Sequence, residues 1–147
     1  MRHFQQALLL VPLCLACLPP AALANELPDA MSVFEGTCSV LIVNDAAPAK
    51  PCVGSLVVNR YPSGRRTVIF HDADDEAIAF EAVPRQGVHF TISSVERNGE
   101  SDPATGTCTI NLNGSNTGEI ACEAHAAGHL TSGTFQVTAL KHEIGGQ

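Results

Sequence analysis

Two histidines stand four apart in His125-Ala126-Ala127-Gly128-His129, and a third, His71, precedes the acidic run Asp72-Ala73-Asp74-Asp75-Glu76. Imidazole beside carboxylate is a donor set for zinc or copper, so His125, His129 and His71 are the candidate metal ligands. The pattern is unspecific. No glutamate or helical signature accompanies the His-x-x-x-His spacing, and the acidic run lacks the ligand and glycine spacing of a calcium loop. No cofactor is therefore expected, with Zn or Cu as the alternative.

Arg60, Tyr61, Arg65 and Arg66 flank the turn Tyr61-Pro62-Ser63-Gly64, the densest basic patch on a chain of net charge −7. Arginine with tyrosine is a composition enriched where proteins grip proteins, and an exposed tip of this kind suits insertion into an acidic cleft. These four residues are the candidate binding set. A catalytic set is not visible. There is no Gly-x-Ser-x-Gly elbow, and serines near histidines in sequence, such as Ser132 after His129, are commonplace.

Cysteine chemistry turns on spacing. Gly36-Thr37-Cys38-Ser39-Val40 and Gly106-Thr107-Cys108-Thr109-Ile110 repeat one layout, and Cys52 and Cys122 each follow at fourteen residues. Redox-active pairs usually sit two residues apart at a helix start. These cysteines are instead read as two hairpin disulfides, Cys38 with Cys52 and Cys108 with Cys122. The register supports the second pairing. If 107–113 runs antiparallel to 117–123 around Ser115, Cys108 faces Cys122, Ile110 faces Ile120 and Leu112 faces Gly118, with every apolar member on one side. The first pairing follows by analogy. The repeated phrase also raises an internal pseudo-repeat of two similar half-units.

The elements that must position these residues read as strands. Alternating apolar residues mark 33–43, with Phe34, Cys38, Val40 and Ile42 on one face, then 53–60, 67–71, 76–83, 88–92, 107–113, 117–123 and 131–140. Two stretches, 76–83 and 119–127, the second overlapping the run at 117–123, are rich in Ala and Glu and compete as helices. Alternation and the cysteine register favour strands. Pro84 is expected to end the fourth run, 97–105 to be a polar loop, and 141–147 to be a fraying tail. About eight short strands give an all-β fold, an antiparallel sandwich or small barrel.

Residues 1–24 read as a bacterial signal peptide, from Arg2 through an apolar run to cleavage after Ala24 in Ala22-Leu23-Ala24, with a lipid anchor on Cys17 as the alternative. Residues 25–147 then form a single exported β-domain, periplasmic or secreted, free of Cys14 and Cys17. The apolar run is short for a bilayer, so no membrane span is expected. Loss of Arg2 takes the charge to −8, which disfavours nucleic acid and points to a protein partner. The expected function is a non-enzymatic binding protein, an inhibitor or immunity-type factor that occludes another protein. A metal-binding protein using His125 and His129 is the alternative. A small-ligand carrier is the second alternative.

Overall fold

The computed structural model describes residues 26–46 and 49–146. The expected signal segment, its expected cleavage site and Cys14 and Cys17 lie outside the described residues. Eight strands follow in order: β1 (Ala30–Ile42), β2 (Cys52–Arg60), β3 (Arg66–Asp72), β4 (Ala77–Gln86), β5 (His89–Arg97), β6 (Glu100–Leu112), β7 (Gly118–Ala126) and β8 (His129–Gly145). Each pairs with the next, and β1 pairs antiparallel with β8, so the sheet closes into an eight-stranded barrel. Closure removes both sheet edges at once.

Alternation explains the wall. Leu56, Val68, Phe70, Ile78, Phe80, Ile92, Ile120 and Phe135 are each 2% exposed or less and point inward. Phe70 and Phe80 meet edge to face with ring centroids 5.8 Å apart. Burial of each such side chain is worth roughly 1.5–3 kcal/mol, which favours the strand over the competing helix in β4. Gly133 leaves room for this packing, because a Cβ there would lie 2.7 Å from the Phe70 ring. The middle of the barrel is thus filled by side chains.

Both cysteine pairs form disulfides, Cys38–Cys52 and Cys108–Cys122. The second hairpin has the expected register, Cys108↔Cys122, Ile110↔Ile120 and Leu112↔Gly118. The first hairpin runs from Ala30↔Arg60 to Glu35↔Ser55. Continued at the same register, it brings Gly36 to Gly54 and Cys38 to Cys52. The two copies of the phrase lie in β1–β2 and β6–β7, five strands apart, so they do not divide the barrel into equal four-strand halves.

Several boundaries differ from expectation. In β1 a register shift between Cys38 and Val40 reverses the alternation, so Leu41 is fully buried and Val40 is 37% exposed. The strand β4 passes Pro84 to reach Gln86, because a shift between Pro84 and Gln86 sits where the proline has no donor. The polar loop expected at 97–105 is a two-residue turn. Asn98 and Gly99 have φ of 52° and 80°, the hairpin conformation that Asn-Gly favours, and β6 begins immediately at Glu100. Gly128 closes a β7–β8 hairpin with Ala127, in keeping with the strand reading of this stretch. The expected tail is the closing end of β8, where Ile144 pairs with Met31 and Gly145 with Ala30.

Candidate functional site

The barrel has two mouths. One gathers the β2–β3, β4–β5 and β6–β7 turns, and the other gathers the β1–β2, β3–β4, β5–β6 and β7–β8 turns.

The arginine tip stands at the first mouth. Gly64 has φ of 86° and donates its N–H to Tyr61 O at 2.8 Å, which closes the turn. The Arg65 guanidinium stacks 4.0 Å above the Tyr61 ring, and its Nη1 donates to Glu81 Oε2 at 2.5 Å. Thr67 Oγ1 lies 3.1 Å from both the Tyr61 hydroxyl and Glu81 Oε1, which completes a cluster on the outer wall. Arg66 turns the other way. Its Nη1 donates to the carbonyls of Gly64 and Arg65, and its guanidinium lies 5.9 Å from the Phe90 ring. Burial, then the nearby charge of Arg60, lowers the Arg66 pKa from its ordinary value.

Carboxylates distant in sequence complete this end. Glu26 accepts from the Ser63 backbone N–H at 2.9 Å and from its hydroxyl at 2.6 Å, and Asp29 pairs with Arg60 at 3.2 Å. Asp29 therefore pairs Arg60 and Glu81 pairs Arg65, Glu26 holds Ser63, and Arg66 bonds only backbone carbonyls. The tip is not the free basic patch that its local sequence suggests. It is a braced surface built on a stacked Tyr61–Arg65 pair, with two of its three arginines ion-paired.

At the second mouth, Asp72 organises the acidic turn. It is 1% exposed, accepts the N–H groups of Asp74 and Glu76 on Oδ1 at 2.9 and 3.0 Å, and accepts Lys50 Nζ on Oδ2 at 3.0 Å. Burial alone would raise its pKa. The Lys50 ammonium and the two amides outweigh that and hold the carboxyl below its usual range. Lys50 also reaches Glu76 at 3.3 Å, and these two partners raise its pKa.

The histidines do not converge. His71 Nδ1 lies 3.3 Å from Asp75 Oδ1 on the outer side of β3, whereas Asp72 points inward. Ala126 pairs with His129 and His125 with Leu130, so the two imidazoles leave the sheet on opposite sides. His129 Nδ1 sits 2.9 Å from Asp45 Oδ2, and the Leu130 N–H donates to Asp45 Oδ1 at 2.8 Å. The Leu130 amide first, then His129, lowers the Asp45 pKa. Among the described residues no group of three His, Cys, Asp or Glu side chains is placed to hold a metal ion. Nor is any serine hydroxyl hydrogen-bonded to an imidazole among them; the nearest such arrangement is Thr109 Oγ1 with His89 Nδ1 at 3.5 Å.

Two concave regions complete the surface. A cavity of about 400 Å³ opens at the second mouth, lined in part by Val43, Lys50, Glu76, Ile78, Arg97 and Glu100. A more open groove of about 410 Å³ crosses the outer wall over Thr107, Thr109, Ala121, Ser132 and Thr134. Sequence reasoning missed the mouth cavity, because its lining comes from four separated segments and no local pattern announces it. Among the described residues no helix is long and apolar enough to cross a membrane.

The chain matches no protein-family model, and no curated protein or solved structure is significantly similar to it.

Proposed function

We propose that this chain is an exported, non-enzymatic binding protein that occludes another protein through the β2–β3 tip. The observation that carries the reading is the braced Tyr61–Arg65 stack, held by Glu81 and Thr67 and backed by the Glu26 clamp on Ser63. An aromatic and an arginine fixed in place lose little conformational entropy on binding, which is what makes such pairs effective anchors. Because Asp29 and Glu81 already pair Arg60 and Arg65, shape and stacking select the partner more than positive charge does. Two disulfides are compatible with an oxidising compartment, and the filled barrel supplies a rigid support.

The test is capture of periplasmic and secreted proteins on immobilised wild type and on Tyr61→Ala/Arg65→Glu. Wild type is expected to retain a saturable protein partner that the double variant loses. Retention by both forms, or by neither, removes the proposal.

A further inference from the structure

The two disulfides sit in different surroundings. Cys108 and Cys122 are 1% and 3% exposed and face each other inside a continuous ladder that runs from Ala104↔Ala126 to Leu112↔Gly118. Cys38 and Cys52 are only half-buried, and the sheet around them is open. Among the described residues the β1–β2 ladder stops at Glu35↔Ser55, short of both cysteines. On its other side β2 pairs Cys52 with Asp72 and next Leu56 with Phe70, so Val53 and Gly54 have a ladder partner on neither neighbour. A seam thus separates β1 from β2 at the second mouth, and the Cys38–Cys52 bond crosses it.

Other contacts hold this end of the barrel independently of the bond. Lys50 donates its backbone N–H to Leu41 O at 2.7 Å and its Nζ to Asp72, and Asp45 accepts the Leu130 N–H at 2.8 Å. Along the seam β1 stays paired with β8, from Gly36↔Val137 to Ile42↔Ser132. Cleavage of the bond therefore frees the start of β2 while β1 keeps its place in the wall.

We propose that Cys38–Cys52 is a redox latch on the β1–β2 seam, opened by a dithiol reductant, and that Cys108–Cys122 is a permanent staple. A thiolate of the reductant attacks one sulfur, which forms a mixed disulfide and releases the other cysteine as a thiolate. The second thiol of the reductant then displaces the remaining cysteine and closes the reductant's own disulfide. Two electrons and two protons thereby pass from the dithiol to Cys38 and Cys52. Access of the attacking thiolate governs the rate, and it favours the half-buried bond over the sealed one. The latch is independent of the binding tip proposed above.

The probe is dithiothreitol, added in steps to the purified protein, with free thiols then trapped by N-ethylmaleimide and located by peptide mapping. Cys38 and Cys52 should be labelled at dithiothreitol concentrations roughly tenfold or more below those that label Cys108 and Cys122. In the singly reduced protein, amide hydrogen exchange should rise roughly tenfold over residues 50–56 and stay unchanged over 118–126, with native strand content by circular dichroism. Resistance of Cys38–Cys52 to the reductant, labelling of all four cysteines together, or labelling of Cys108 and Cys122 first overturns the proposal. So does unchanged exchange over 50–56 in the singly reduced protein, or loss of its strand content. Cys38→Ala/Cys52→Ala should reproduce the exchange pattern without reductant. If that variant fails to fold, the singly reduced wild type decides the question.

Discussion

Gly36 and Gly106, the first residues of the repeated phrase, are where the wall bends. A Cβ on Gly36 would lie 1.9 Å from the Gln136 carbonyl oxygen, and one on Gly106 would lie 2.0 Å from that of Glu123. Both stand beside register shifts, after Glu35 in the β1–β8 ladder and after Ile92 in the β5–β6 ladder. A glycine paired with a bulge is a way of turning a corner in a closed sheet. Gly36→Ala or Gly106→Ala should therefore each cost about 1–3 kcal/mol in urea unfolding, the usual range for overpacking. Gly114→Ala, where a Cβ meets nothing within 4 Å, should leave the midpoint unchanged.

Asp72 gives the residue scale its pH dependence. Its folded pKa is depressed, so the unfolded chain takes up protons first as pH falls. The stabilisation it supplies is complete above the unfolded carboxyl value, about 3.9, and is lost as pH drops through the lower folded value. Asp45, lowered in the same direction, adds to the trend. Chemical denaturation from pH 6 downward should show wild-type stability falling through this window. Asp72→Asn should start lower at pH 6 and fall less over the same interval. An unchanged slope in the variant would mean that Asp72 does not contribute.

At the scale of elements, the two cysteine hairpins do the same work. Each disulfide spans fourteen residues of separation. In the chain-entropy account a loop of about that length contributes ~3 kcal/mol. Cys108→Ala/Cys122→Ala and Cys38→Ala/Cys52→Ala should each lower stability by about that amount, read as a shift in denaturant midpoint, while far-ultraviolet circular dichroism still reports native strand content. The second hairpin was legible in the sequence because Cys108, Ile110, Ile120 and Cys122 all turn inward, so apolar pattern and register coincide. The strand at Glu100–Leu112 was legible only in its second half. Its first residues are polar because they stand at the open mouth, and polarity there reports exposure, not a lack of pairing. The end of β8 was obscured for the same reason. Its exposed residues read as a tail, yet they carry the ladder to β1.

At the scale of the molecule, closure decides both what the sequence revealed and what it concealed. The all-β class was readable from alternation. The choice of barrel over sandwich was not, because it depends on the first and last strands meeting across the whole domain. The candidate site follows the same rule. Arg60, Tyr61, Arg65 and Arg66 were visible as a local cluster, but Glu26, Asp29 and Glu81, which brace it, come from other parts of the chain. Folding therefore converts a basic hairpin into a braced tip with two of its arginines ion-paired. The most direct test of that surface as the proposed binding face is hydrogen–deuterium exchange of the purified protein, alone and with the partner that the capture experiment is expected to retain. New protection should fall on residues 60–66 and on the bracing segment 26–29. Protection confined to the opposite mouth or to the outer groove of β6–β8 would contradict the account.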